Sequence, residues 1–259
     1  GVAGAALGTA LAEWVTAALM LAAVCLRSPR LHLRRRPGES WRVTRKCLSA
    51  AARIALPMAF EHTVLCGAQI ASTRIVAPLG NVSIAANSLA VTAESLCYLP
   101  GYGIAAAATT LVGQSLGAER RDLARRYARL SVLLAVLLMS AMGVLMFLLA
   151  PWVFSLLTPD LAVRELGVRV LRIEAFAEPL YAVSIAAAGA MRGAGDTLVP
   201  SLLNLASMWG VRITAAALLA PRLGLVGVWL AMCGELCVRG LLFLVRLLRG
   251  RWLDRSLAV

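Results

Sequence analysis

The sequence is short of charge, of histidine and of paired cysteines, and each shortage closes a class of function. Charged residues make up 15% of the chain, against roughly 25% in soluble domains, and they cluster between long apolar runs instead of alternating with them. An ordinary soluble domain is excluded. Only His32 and His62 offer imidazoles, and neither G-x-S-x-G nor H-E-x-x-H occurs, so enzyme chemistry has little to stand on. The cysteines (Cys25, Cys47, Cys66, Cys97, Cys233 and Cys237) show no C-x-x-C spacing. All but one lie in apolar segments, where cysteine acts as a small hydrophobe, so neither a disulfide framework nor a zinc site is expected. Gly193-Ala194-Gly195-Asp196-Thr197 is glycine-rich but lacks the Lys-Ser/Thr of a phosphate loop. Gly101-Tyr102-Gly103 follows Leu99-Pro100 where a potassium filter has Thr-Val, which argues against a pore. No cofactor is expected. An initiator Met is missing too: Gly1 opens inside an apolar run with no basic n-region, so the start does not read as a signal peptide and a truncation is expected there.

What the chain has is hydrophobicity: 60% apolar residues and a mean hydropathy of +0.80, above the roughly 45 to 50% apolar usage of soluble domains. The lipid bilayer is the expected surrounding. A hydrocarbon core about 30 Å thick takes about 20 residues of helix, and that ruler predicts seven spans near residues 2–26, 52–77, 83–113, 130–150, 166–191, 198–220 and 224–248. The fold class is therefore all-α, a polytopic membrane helix bundle. The third span is long for one crossing and is interrupted in sequence by Pro100-Gly101 and Gly103, so a tilt, bend or protrusion is expected.

The net charge of +13 sits at the ends of apolar segments and on no long soluble face, so nucleic acid is not an expected partner. It is an orientation signal instead. Arg27, Arg30, Arg34, Arg35, Arg36, Arg42, Arg45, Lys46 and Arg53 crowd the first connection, which the positive-inside rule places in the cytoplasm. Alternation then puts Arg120, Arg121, Arg125, Arg126 and Arg129 inside, together with the Met191-Arg192-Gly193 turn and the C-terminal arginines. Arg164, Arg169 and Arg172 fall on the outer side against that rule, with Glu165 and Glu174 as possible partners, and an interfacial helix start would account for them. A faint repeat pairs Gly1–Leu7 with Gly224–Leu230, each opening a helix that ends in Arg. It suggests one six-helix unit (52–259) preceded by the last helix of another (1–26) and a basic cytoplasmic linker (27–51), as in transporters built from repeats.

Ionisable groups at bilayer depth cost about 2.5 to 3.5 kcal/mol on insertion scales and so mark candidate sites. Glu61 stands four residues after Pro57, with His62, Gln69 and Thr73 following as a polar stripe. Asn87, Glu94 and Tyr98 fall within about 40° on a helical wheel and are expected to face a common cavity. Glu178 precedes Pro179, with Tyr181 three residues on. Interhelical hydrogen bonding is the plainer use of such groups. Burial cost favours a functional role for Glu61 and Glu178, whereas Asn87 and Tyr98 lean towards packing. Glu13 and Glu235 have no helix kink nearby and read as packing residues, and Arg212 has no evident role.

Two segments carry a resemblance to a family. The first is Leu99-Pro100-Gly101-Tyr102-Gly103 followed by Thr109-Thr110-Leu111-Val112-Gly113-Gln114-Ser115-Leu116-Gly117-Ala118 and Ala124-Arg125-Arg126; the second is Ala190-Met191-Arg192-Gly193-Ala194-Gly195-Asp196-Thr197. Both resemble segments of multidrug and toxic compound extrusion (MATE) transporters, over nearly the whole chain, from the sixth helix of that family to the twelfth. The resemblance implies an upstream lobe. The polar turns have physical sense independently: small residues let helix ends approach, and Asp196 is expected to cap the following helix. The resemblance also implies that Glu61 matches an acid used for cation coupling. Tyr181 stands where sodium-type members place an Asp, with Glu178 one turn earlier, so H+ and Na+ both stay open as the coupling ion. The implied function is cation-coupled antiport of drugs or other small organic compounds across the cytoplasmic membrane. Glu61, Glu94 and Glu178 would serve as coupling acids, and Asn87, Tyr98, Tyr181 and Gln69 would line the substrate cavity. The alternatives are a lipid-linked oligosaccharide flippase of the same superfamily, or a truncated fragment without function.

Overall fold

The computed structural model describes residues 2–23, 25 and 44–253, and among them there is helix and no strand. The chain divides into two compact units, Gly1–Ala51 and Ala52–Val259. In the first, α1 (Val2–Ala22) is apolar on every side, and Leu7, Leu11, Trp14 and Leu19 are all exposed. The basic stretch 26–43 lies outside the described residues.

The second unit contains the remaining helices, the first of which begins seven residues ahead of it, at Arg45. Helix α2 runs Arg45–Val76 into a 3₁₀ turn at Ala77–Leu79, α3 spans Asn81–Gly117 and α4 Arg121–Leu157. After these come α5 (Leu161–Glu174), α6 (Glu178–Gly193) and α7 (Leu198–Ser207), which passes through a π-helical turn at Met208–Ile213 into α8 (Thr214–Arg249). Three apolar stretches are long enough to cross a bilayer on length and composition alone: Asn81–Gly117, Arg121–Leu157 and Leu198–Arg249.

The last of these, 52 residues long, is two crossings. Gly224 (φ 59°, ψ −141°) breaks the helical path, a conformation only glycine adopts without strain. Arg212 then reaches Met232 across the turn at 2.7 Å, which a straight helix of that separation would forbid. The spans expected at 198–220 and 224–248 are both present.

The expected span 166–191 is corrected by the structure. It is two helices, because Pro179 has no N–H to give the carbonyl four residues back and its ring crowds that carbonyl. The path opens over residues 175–177, where the Ala177 N–H turns to the Glu174 carbonyl at 2.7 Å. The start also moves outward. Asp160 caps α5 by accepting from the Ala162 and Val163 amides, while Arg164 donates to the Thr158 carbonyl at the end of α4 at 2.6 Å and Arg172 to the Phe147 carbonyl at 3.2 Å, which Pro151 leaves without its helical donor. Arg164, one of the basic residues against the positive-inside rule, is thus tied to a helix C-terminus, where cations belong. Pro100, by contrast, does not interrupt α3, which stays helical through Pro100-Gly101 and extends beyond the expected ends.

The packing is inverted relative to a soluble protein. Along most of α4 the buried positions are small or slender (Ala124, Ala128, Ser131, Ala135, Met139, Gly143), with Phe154 buried near its end, while Leu130, Leu133, Leu134, Leu137, Leu145 and Leu148 face outward. Lipid is as apolar as leucine, so helices gain by close approach of small residues instead. One such close approach joins α3 to α6. A Cβ on Gly189 would sit 2.5 Å from the Ala105 carbonyl oxygen, Gly193 is as close to Thr109, and the Thr109 hydroxyl bonds the Gly189 carbonyl at 2.8 Å.

Candidate functional site

Glu61 lies on the buried face of α2, only 4% exposed, and every side of its carboxylate is used. Arg192, on the last turn of α6, donates from one Nη2 to Oε1 at 3.1 Å and to Oε2 at 3.2 Å. From α7, Ser201 Oγ donates to Oε2 at 2.5 Å and Asn204 Nδ2 to Oε1 at 2.6 Å. These contacts and the Trp209 indole, which donates to the Val64 carbonyl at 3.3 Å, fasten α2 to the bundle.

The acid opens onto a cavity of about 460 Å³ whose walls include His62, Tyr102, Tyr181, Ser184 and Arg239. Tyr181 is held from both sides. Tyr98 packs edge-on against it with ring centroids 5.9 Å apart, and the Arg239 guanidinium lies 5.3 Å from its ring centroid. Arg239 is paired with Glu235 one turn earlier at 3.1 Å, an ion pair whose angle is unsuited to a hydrogen bond. Tyr98 does not line the cavity but braces the wall, being edge-on to Tyr102 as well.

A second set of acids sits away from this cavity. Glu94 of α3, Glu174 of α5 and Glu178 of α6 are buried within electrostatic reach of one another, and Arg212 and Arg239 act on Glu94 and Glu174. Glu174, 1% exposed, has no hydrogen-bond partner on either oxygen. Glu178 meets the Cys97 thiol and packs against Gly143.

Several expectations need correction on this geometry. The three acids Glu61, Glu94 and Glu178 are not gathered round one space. Gln69 is exposed and off the cavity, because the buried face of α2 runs from Glu61 to Ala68, seven residues on, which turns Gln69 about 100° away. Asn87 accepts from the Trp229 indole at 3.0 Å and ties α3 to α8 instead of facing Glu94 and Tyr98. Asp196 does not cap α7: the cap position is Thr197, with no side-chain bond, and the buried Asp196 carboxylate instead holds Arg246 at the end of α8. Tyr181 does line the cavity.

Arg192, Ser201, Asn204, Arg239 and Glu174 were not singled out as site residues from the sequence. Arg192 reads there as a loop charge and Glu174 as a surface partner. The one usable signal was Ser201 with Asn204, three residues apart on an apolar helix, where a shared polar face needs a partner on another helix.

The fold and the cavity define a class: a polytopic membrane bundle with a polar, ion-paired space between its helices. Residues 57–218 match the MatE family model, and the chain belongs to that family. It is 28% identical over 259 residues to a probable multidrug resistance protein NorM of Thermotoga maritima, covering 99% of this chain and 55% of that protein. The NorM of Brucella suis is 35% identical over 242 residues, 88% of this chain and 50% of the relative. The chain thus spans about half the length of the curated relatives it matches. Among solved structures, a MATE protein crystallised with MaL6 superposes with a TM-score of 0.85 at 20% identity, over 99% of this chain and 58% of the other. At that identity the likeness establishes the fold alone.

Proposed function

We propose that the chain supplies the coupling lobe of an antiporter that exports drugs or other small organic compounds across the cytoplasmic membrane, exchanging them for H+ or Na+. One observation carries this reading: Glu61 is a buried carboxylate at the wall of a polar cavity, bonded to two other helices. Occupancy of that acid by an ion changes how α2, α6 and α7 are joined, which is what a coupled carrier needs. The NorM names of the relatives support drug export as the cargo. Glu94 and Glu178 serve as further coupling acids inside the bundle, and Tyr102 and Tyr181 offer aromatic faces to an organic substrate. In this reading residues 52–259 are a lobe, residues 1–26 the closing helix of its counterpart, and 27–51 the linker.

Two arginines on the cavity wall favour a second reading, a flippase for lipid-linked oligosaccharides, whose phosphates need cations. Each arginine already has a glutamate partner, so the antiport reading is preferred. The test uses everted vesicles from cells expressing the intact gene, with ethidium as cargo and imposed H+ or Na+ gradients. Glu61→Gln is expected to abolish gradient-driven ethidium movement. Export at the parental rate would sink the proposal.

A further inference from the structure

We infer that Arg192 is the resident cation of the Glu61 site: its guanidinium holds the place the coupling ion takes, and the two occupy the carboxylate in alternation. The inference rests on the antiport reading above and adds to it the residue against which the ion competes.

The geometry points to competition in three ways. First, Arg192 Nη2 is almost equidistant from the two carboxylate oxygens, 3.1 and 3.2 Å. This bisecting position is where a small cation would chelate both. Second, Ser201 and Asn204 already take one further direction on each oxygen, so no open coordination remains until Arg192 withdraws. Third, Arg192 has somewhere to go. Its side chain borders the cavity and is 28% exposed, and its buried Nε has no hydrogen-bond partner holding it.

Ser201 lets the site take a proton without losing its frame. Its hydroxyl lies 2.5 Å from Glu61 Oε2 and 2.9 Å from the Thr197 carbonyl, yet it has one hydrogen to give. With Glu61 ionised, the hydroxyl donates to Oε2. With Glu61 protonated, the acid donates to Oγ and the hydroxyl turns to Thr197. Only the ion pair with Arg192 is given up, one proton is added to Glu61, and the guanidinium carries its positive charge into the cavity. A sodium ion replaces Arg192 with the same charge balance, keeping both carboxylate oxygens and leaving the Ser201 hydrogen in place.

The charged and titratable groups facing Glu61 are few. Arg192 and Tyr181 come from α6, Arg239 from α8 and His62 from α2 itself, while α3 contributes Tyr102 and α7 only the neutral Ser201 and Asn204. Among the described residues, Glu61 is the only carboxylate on the cavity wall, so a displaced Arg192 finds no second acid there. Its return to Glu61 therefore expels the ion, which resets the carrier.

Removing a resident competitor raises the apparent affinity for the ion by the inverse of the fraction of time the site is free. In the ethidium assay, Arg192→Gln is expected to lower the half-saturating Na+ concentration roughly tenfold if sodium is the ion. If the proton is the ion, the midpoint moves to a higher pH by about one unit. Arg192→Lys keeps a single charged nitrogen on a shorter reach and is expected to fall between. The same midpoints are read from thermal unfolding of purified protein against Na+ or pH, so a variant that folds but does not transport is still informative. Should the Gln protein fail to fold, the Lys midpoint decides. An Arg192→Gln midpoint unmoved in both the Na+ and the pH arms overturns the inference. If that happens while Glu61→Gln is inactive, the antiport reading stands; if Glu61→Gln exports normally, the antiport reading itself fails.

Discussion

At the scale of single residues, polar groups inside this bundle divide into those that join helices and those that face the cavity. Asn87 belongs to the first kind. Its side-chain oxygen receives the indole hydrogen of Trp229, which is buried and has no water to turn to. Asn87→Ala is expected to cost about 1 kcal/mol of stability, the scale of interhelical hydrogen bonds in membranes, seen as a lower thermal midpoint in detergent. Ethidium transport per folded molecule should stay unchanged; a selective loss of transport would return Asn87 to the substrate cavity. The same scale explains what the sequence could not display. Glu61 stands out by itself as a buried acid beside a proline. Its partners Arg192, Ser201 and Asn204 lie 131, 140 and 143 residues away, and helical periodicity constrains neighbours within a turn or two, not residues on other helices. Glu174 was misplaced for a related reason. It sits among charges near a helix end in the sequence, and only its burial beside Val170 and Leu171 shows that this turn of α5 is inside the bundle.

At the scale of helices, small residues decide which helices meet. Gly189 and Gly193 stand four apart on α6 and face Ala105 and Thr109, four apart on α3, so the backbones touch along two turns. A methyl at Gly189 meets backbone atoms, at 2.5 Å for the Ala105 carbonyl oxygen and 2.9 Å for its Cα, and backbone cannot swing aside as a long side chain does. Gly189→Ala is expected to destabilise by about 1 to 3 kcal/mol, as overpacking does, and to weaken the Thr109 bond to the Gly189 carbonyl. Gly234 is the internal control. Nothing lies within 4 Å of a Cβ built there, and α8 is regular at that point, so Gly234→Ala should gain about 0.5 to 1 kcal/mol from reduced backbone freedom in the unfolded chain. Thermal unfolding of the two variants side by side checks both signs; equal behaviour would mean that α3 and α6 do not meet in this way. Helix ends followed less well from sequence than helix existence. The apolar runs predicted each crossing, but the Asp160 cap, the extension of α3 and the π-helical turn near Arg212 depend on hydrogen bonds that hydropathy does not register.

At the scale of the whole molecule, the distribution of arginines predicts an orientation for the lobe. Arg120 lies at the turn between α3 and α4, with Arg121, Arg125, Arg126 and Arg129 following on α4, and Arg120 makes an exposed pair with Asp122 at 3.1 Å. Exposed pairs of this kind contribute little stability, so Arg120 remains available to anionic lipid headgroups. The opposite end of α4 is different. Arg164 spends its donors on the carbonyls of Ser155 and Thr158, which removes the cost of placing a cation on the outer side. Helix α4 is 37 residues long, about 55 Å at 1.5 Å per residue, so its two ends must emerge on opposite faces of a bilayer about 40 to 45 Å thick with its headgroups. Single cysteines in a cysteine-free background test this directly, since Ala118 and Pro159 are exposed at those two ends. Pro159→Cys should react with a membrane-impermeant maleimide in intact cells, and Ala118→Cys only after permeabilisation. The reverse pattern would turn the lobe over and place Arg192 and Glu61 near the outer surface. Ion entry to their site would then begin from the opposite side of the membrane.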